Sequence, residues 1–267
     1  MDEIIVAIAQ LDVALGDKRA NTEKAIKYIT DAAKKGANFV CFPEYFSTGF
    51  GYKDLEKIHK EIAKLAEPIN GQTIRMIQQA CRANSVYAIG SIIESAQNKF
   101  YNTAFLINPS GELLGTYRKV HLFQLESQFF QQGNGWQVFD TDFGKIGIMI
   151  CYDAIFPEAA RTLALLGAKL ILHPSSWMDP YLPQWRIATN ARALENQVWL
   201  VSVNRVGRDE LFTYFGRSRV IDPYGACIYE CGGEEELATV RIDLKRAEEF
   251  KKTLNFLGDR RPATYRL

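Results

Sequence analysis

The strongest constraint on the fold is a set of short, mainly apolar runs, each neighboured by a segment with helical spacing. Residues 38–42, 145–150, 169–173 and 198–203 lack the polar alternation of a strand with one wet face. Such runs predict strands buried on both sides, as in a sheet covered by helices. The helical segments are 21–35, which opens at Asn21 as a candidate N-cap and stops at Gly36, then 54–66, 72–83, 157–166 and 183–196. Residues 3–10 predict another buried strand, and 86–94, 101–108, 112–118, 215–222, 226–230 and 237–242 complete the set. Asn108-Pro109-Ser110-Gly111 and Asp222-Pro223-Tyr224-Gly225 are turn signals between neighbouring strands. No Ser/Gly linker, composition shift or repeat interrupts the pattern, so all 267 residues are expected in a single layered α/β domain.

Bulk properties remove several function classes. Formal net charge is +1, so no overall field attracts nucleic acid or an anionic membrane surface. No apolar stretch approaches the roughly 18 residues that span a bilayer. The N-terminus opens with Asp2 and Glu3, whereas a secretory leader begins with positive charge. Five cysteines, an odd number at 41, 81, 151, 227 and 231, argue against a disulfide framework and for a reducing cytoplasm. Cys227 and Cys231 lack partners at zinc spacing, so no metal and no cofactor is expected. Residues 241–267 carry eight Lys/Arg against four Asp/Glu and read as a basic tail.

In α/β sheets, ligands collect beyond the carboxyl ends of the strands. Glu44, Lys119, Cys151 and His173 stand at or directly after such ends. Singly, each has an ordinary reading: a helix-entry acid, a surface lysine, a buried thiol, a satisfied core histidine. Together they supply what a thiol nucleophile requires, a base for its proton and a cation for the negative charge. A Cys151–histidine pair drawing on His121 or His173 is the competing arrangement, although the local signatures of thiol proteases are missing around Cys151.

At these residues the chain resembles the carbon–nitrogen hydrolase (nitrilase) superfamily. The resemblance rests on Phe42-Pro43-Glu44 with Thr48-Gly49, on Tyr117-Arg118-Lys119-Val120-His121-Leu122, and on Gly147-Ile148-Met149-Ile150-Cys151-Tyr152-Asp153 with Phe156-Pro157-Glu158. His173-Pro174-Ser175, Arg192-Ala193-Leu194-Glu195-Asn196 and Asp259-Arg260-Arg261-Pro262 complete the match in the family's order. Each is weak alone; in order over the whole chain they are specific. The family's Pro-Gly-Asp is replaced by Gln132-Gly133-Asn134, a departure confined to the loop after Lys119.

The resemblance implies a four-layer αββα sandwich, paired into homodimers or larger homo-oligomers, with a C-terminal arm over about 244–267 that reaches the partner. It implies a Glu–Lys–Cys triad of Glu44, Lys119 and Cys151, with Cys151 attacking carbon, Glu44 moving the proton and Lys119 with the Tyr152 backbone N–H stabilising the oxyanion. Glu126 falls on a second family glutamate that positions substrate. Tyr45, Tyr152, His173 and Trp177 are the remaining candidates for substrate contact, with Phe123 and Tyr181 on a neutral wall. The implied substrate is a small molecule with an amide, nitrile or carbamoyl group. Cys-Tyr-Asp followed by Phe-Pro-Glu is similar to the amidase and carbamoylase branches, which favours release of ammonia from a small aliphatic amide through a thioester. Aliphatic nitrilase and N-carbamoyl amidohydrolase are the alternatives, the latter needing an arginine such as Arg186 or Arg205 for a substrate carboxylate. A binding protein that kept the fold and lost the chemistry is a more remote reading, opposed by the intact triad.

Overall fold

The computed structural model describes residues 2–265. In chain order its first half contains β1 (Glu3–Gln10), α1 (Lys18–Lys34), β2 (Phe39–Cys41), α2 (Leu55–Leu65), α3 (Gln72–Asn84), β3 (Tyr87–Ala96), β4 (Lys99–Ile107), β5 (Leu113–Arg118) and a single-turn α4 (Glu126–Phe129). The second half contains β6 (Val138–Thr141), β7 (Gly144–Ile148), α5 (Pro157–Leu165), β8 (Leu170–Ser175), α6 (Leu182–Asn196) and β9 (Trp199–Asn204). It closes with β10 (Val206–Arg208), β11 (Thr213–Phe215), β12 (Arg219–Ile221), β13 (Cys227–Glu230), β14 (Glu236–Asp243) and α7 (Lys245–Thr253).

Two six-stranded mixed sheets result, ordered β14-β1-β2-β3-β4-β5 and β13-β12-β9-β8-β7-β6. Each has three parallel central strands (β1, β2, β3 and β7, β8, β9) continued by antiparallel strands at its edges. The halves therefore share a plan that no sequence repeat reveals.

Strand periodicity builds the layers. On β1, Ile4, Val6 and Ile8 point into a core shared with Ile146, Ile148, Leu170, Leu172 and Val201 of the other sheet. Ala7 and Ala9 point the other way, onto Ala25, Ile29 and Ala32 of α1 and Ile74 and Ile77 of α3. On the second sheet Ile171 and Leu200 face outward onto Ala160, Leu163 and Ala193 of α5 and α6. Three apolar seams thus join four layers: helices, sheet, sheet, helices. The mainly apolar runs arise from this, because both faces of the central strands are dry.

Several expectations change. Helix α1 begins at Lys18, capped by Asp17, whose side chain accepts from the Ala20 amide. Asn21 instead joins two loops, accepting from the Ala14 amide and donating to the carbonyls of Ala14 and Ser47. The expected strand 215–222 is broken, since Gly216 and Arg217 take positive φ (67° and 56°) and divide β11 from β12. Strand β6 and the β10–β11 hairpin were not anticipated. The C-terminal segment begins by packing on its own chain: Leu244, Ala247 and Phe250 are buried, and Leu254 O accepts from Gln197 Nε2. Residues 252–255 and most of 258–265 are exposed.

Candidate active site

The carboxyl ends of both sheets meet at one place. β2 runs through Phe42 and Pro43 into Glu44, and β5 runs directly into Lys119. Both belong to the first sheet, whereas Cys151 comes after β7 of the second. The site therefore lies on the seam between the sheets, and neither sheet carries it alone.

Cys151 ends the apolar run in the left-handed region, at φ 45°, and opens a short 3₁₀ turn over Cys151–Ile155. For a residue with a Cβ this conformation costs on the order of 1–3 kcal/mol, so the surroundings have to hold it. Asp153 does so from inside the turn by accepting from the Ile150 amide at 2.9 Å. His173 does so from below. Its Nε2 is 2.9 Å from the Cys151 carbonyl oxygen, which only accepts, so Nε2 carries the proton. Nδ1 then accepts from the Ser202 hydroxyl at 3.0 Å. Burial holds the His173 pKa down at about 4, keeping the ring neutral near neutral pH.

Lys119 is almost fully buried, and its Nζ lies 2.7 Å from Glu44 Oε1 and 2.6 Å from Glu126 Oε2. Desolvating an ammonium costs several kcal/mol unless it is paired. Burial alone pulls its pKa down, but Glu126 and Glu44 together outweigh it and hold Lys119 well above the ordinary lysine range. Its backbone is pinned on both sides, the amide donating to Asn102 O and the carbonyl accepting from Gly133.

The two glutamates differ in what they have left to offer. Glu126 accepts from four donors: Lys119 Nζ, the Phe123 amide at 2.7 Å, the Tyr45 hydroxyl at 2.6 Å and Asn102 Nδ2 at 3.0 Å. Glu44 takes Lys119 and Asn102 on Oε1, both at 2.7 Å, and is within hydrogen-bonding reach of the Cys151 thiol. Burial raises the Glu44 pKa; Lys119 opposes this and Glu126 adds to it. Burial, then the Glu44 charge, pushes the Cys151 thiol well above its usual range, with Lys119 pulling the other way. The resting sulfur is therefore a thiol beside a carboxylate that is raised toward useful basicity.

A narrow inner chamber of about 50 Å³ is bordered by Glu44, Tyr45, Lys119, Glu126 and Cys151. It adjoins an outer cavity of about 320 Å³ that includes Cys151, Tyr152, Trp177 and Phe123. Seven of the eight expected residues thus stand around one space. The exception is His173, expected to touch substrate: it is fully buried and lines neither chamber, because its place inside β8 puts the ring under the Cys151 peptide. His121 is also committed elsewhere, its Nδ1 2.9 Å from Asp153 Oδ1 and its ring stacked on Phe156. Of the two arginines considered for a substrate carboxylate, Arg186 pairs with Glu230 at the surface. Arg205 borders the inner chamber but is buried against Asp209 and the Tyr214 ring.

Asn102, which bridges Glu44 and Glu126, was missed. Its signal was present: Asn102 alternates with Phe100, Ala104 and Leu106 on one face of the strand, and a polar residue among them has to be meeting a partner. Ser176 was missed too, although its backbone works against the rise in the Cys151 thiol pKa and its hydroxyl donates to Glu44 O at 3.2 Å.

Comparison with known proteins agrees with this geometry. Residues 5–252 match the carbon–nitrogen hydrolase family. A nitrilase of Pyrococcus abyssi is 37% identical over 256 residues, covering 95% of this chain and 94% of the relative. The omega-amidase NIT2-B of Xenopus laevis is 35% identical, covering 93% and 92%. Among solved structures, Nit3 of Saccharomyces cerevisiae, a nitrilase-superfamily member, superimposes with a TM-score of 0.88 at 27% identity, covering 99% of this chain and 97% of that one. The sandwich, the seam site and these relatives together make the chain an enzyme of the carbon–nitrogen hydrolase (nitrilase) superfamily, of the amidase and nitrilase type.

Proposed function

We propose that the enzyme hydrolyses small primary amides through a thioester on Cys151 and releases ammonia. One observation carries this reading: Glu44, the freer of two glutamates sharing a buried lysine, lies beside a thiol held in a strained turn. Glu44 takes the thiol proton as the sulfur attacks the amide carbon. The developing oxyanion is met by Lys119 Nζ and by the Tyr152 N–H, which at the start of a helical turn has no intrahelical acceptor. The tetrahedral species collapses as the C–N bond breaks, and the proton on Glu44 passes to the leaving nitrogen to give ammonia. Glu44 then deprotonates a water that attacks the thioester carbon; the C–S bond breaks, the acid leaves and the sulfur regains its proton. Glu126, saturated with donors, holds Lys119 and Tyr45 in place throughout. A homodimer belongs to the same reading, supported by the exposed apolar side chains of Leu165, Ile187 and Leu194 on α5 and α6.

The test is ammonia release from a panel of amides, nitriles and carbamoyl amino acids, with mass spectrometry for an acyl adduct on Cys151. Amides are expected to give the highest kcat/KM. Cys151→Ala and Glu44→Gln abolish turnover, while His121→Ala and His173→Ala only weaken it. The opposite ranking of Glu44 and the histidines supports a cysteine–histidine pair instead.

A further inference from the structure

The outer cavity differs in character from the chamber behind the sulfur. Its wall is formed by Phe123, Tyr152, Ile155, Trp177, Met178 and Tyr181, and among the described residues no Lys, Arg, His, Asp or Glu lines it. Of the cations bordering the inner chamber, Lys119 is held by Glu44 and Glu126, and Arg205 is paired with Asp209 and stacked 4.0 Å from the Tyr214 ring centroid, its buried Nε alone without a partner. A carboxylate lodged in the outer cavity would lose its water and find no cation on the wall, while lying next to the chamber that holds the two glutamates. An apolar or aromatic body loses no comparable solvation there, and Phe123 and Tyr152, packed edge to face, offer it flat surfaces. At about 320 Å³ the cavity is at the small end of ligand sites, with room for a compact ring and not for a long chain.

We infer that the site selects amides whose body is uncharged and apolar, aromatic rings included, over amides that carry a carboxylate. This rests on the thioester amidase reading for its chemistry and on the cavity wall for its selectivity. The polar groups of the other lining residues, the tyrosine hydroxyls, the Ser176 hydroxyl, the Trp177 indole N–H and the Gln184 carboxamide, are neutral and suit a neutral substituent. Specificity set this way comes from the absence of a charge partner as much as from attraction for the ring.

Two measurements test it separately from the chemistry. Binding of 3-phenylpropanamide, butanamide and succinamate to the Cys151→Ala protein is measured by calorimetry, and ammonia release from the same amides is measured with the wild-type enzyme. The two uncharged amides are expected to bind at least about tenfold more tightly than succinamate, with a kcat/KM advantage of about a hundredfold. Gln184→Arg, a charge introduced at an exposed position on the rim, is expected to narrow that advantage about tenfold. Equal or tighter binding of succinamate, or binding of none of the three amides, overturns the inference. Selective binding by Cys151→Ala together with no ammonia from any amide overturns the thioester reading and leaves the selectivity standing.

Discussion

The Tyr117 hydroxyl donates to Asp153 Oδ2 at 2.8 Å, and this bond ties the first sheet to the second at the level of the site. Tyr117 stands two residues before Lys119, and Asp153 two residues after Cys151. Oδ1 of the same carboxylate accepts from the amide and the Nδ1 of His121, two residues after Lys119. Asp153 therefore grips the lysine strand on both sides while capping the cysteine turn. The Lys119-to-Cys151 distance is set by this brace and not by any contact between those two residues alone.

Removing the hydroxyl tests the brace. Tyr117→Phe leaves part of a fully buried carboxylate unsatisfied and deprives the Val120 amide of its acceptor, which is expected to cost roughly 1–3 kcal/mol of stability. Because Lys119 lies inside the loosened segment, kcat is expected to fall about tenfold or more with KM little changed. Urea unfolding and steady-state ammonia release give both numbers. A stability loss with unchanged kcat makes Tyr117 purely structural.

Glu126 presents a different case. Glu126→Gln keeps the size of the side chain, removes half of the charge facing Lys119 and weakens its bonds to Tyr45 and Phe123. Since Glu126 is the larger of the charges that hold the Lys119 pKa up, the lysine pKa is expected to fall. Turnover is expected to drop about a hundredfold or more, the size of effect seen when an oxyanion donor is lost. The same rates in Glu126→Gln and wild type remove Glu126 from the catalytic arrangement.

Gly133 tests the position of the lysine from its other side. A Cβ built there would lie 2.0 Å from the Arg118 carbonyl oxygen, backbone that cannot swing away, while the Gly133 amide donates to Lys119 O at 2.8 Å. Gly133→Ala is expected to displace the Lys119 backbone, lowering kcat and the melting temperature together. Gly135→Ala, where a Cβ meets nothing within 4 Å, is the control and is expected to leave both close to wild type. A Gly133→Ala protein with wild-type kcat refutes the positioning role.

His173 makes stability depend on pH. Its pKa falls from 6.5 to about 4 on folding, so between these values the unfolded chain binds the proton and the native protein does not. Stability from this residue is complete above pH 6.5 and lost as pH falls toward 4, and the difference is worth roughly 3–4 kcal/mol at about 1.4 kcal/mol per pKa unit. His173→Gln, which retains a hydrogen-bonding side chain without titrating, is expected to have a flatter stability curve across that window. Parallel curves for the two proteins in urea titrations between pH 4 and 7 would show that the native ring does take up the proton.

The layered architecture was legible because strand and helix periods differ. Residues 38–42, 145–150, 169–173 and 198–203 carry apolar side chains on both faces with few polar interruptions, which suits a covered sheet. What broke the reading was local geometry with little hydrophobic signal. The four-residue β6 is half polar, α4 is one turn long, and the β10–β11 hairpin takes its shape from Asp209, whose carboxylate accepts from Leu211, Phe212 and Tyr214. Asn21 and His173 show the same limit at single residues: a polar side chain in an expected position says that it needs a partner, not which one.

Sequence alone determined the chemistry that was available: a cysteine ending one apolar run, an acid and a lysine ending others, and a second glutamate in the loop after the lysine. Tertiary structure decided how the tasks divide. It set Glu44 and Lys119 on one sheet and Cys151 on the other, saturated Glu126 with four donors and left Glu44 within reach of the thiol. It also turned His173 away from the substrate space to support the Cys151 peptide. These distinctions depend on distances of a few ångströms between residues as much as 107 positions apart, from Glu44 to Cys151. Charge burial and hydrogen-bond saturation at that scale belong to the packed chain, because the unfolded sequence leaves every one of these groups in water.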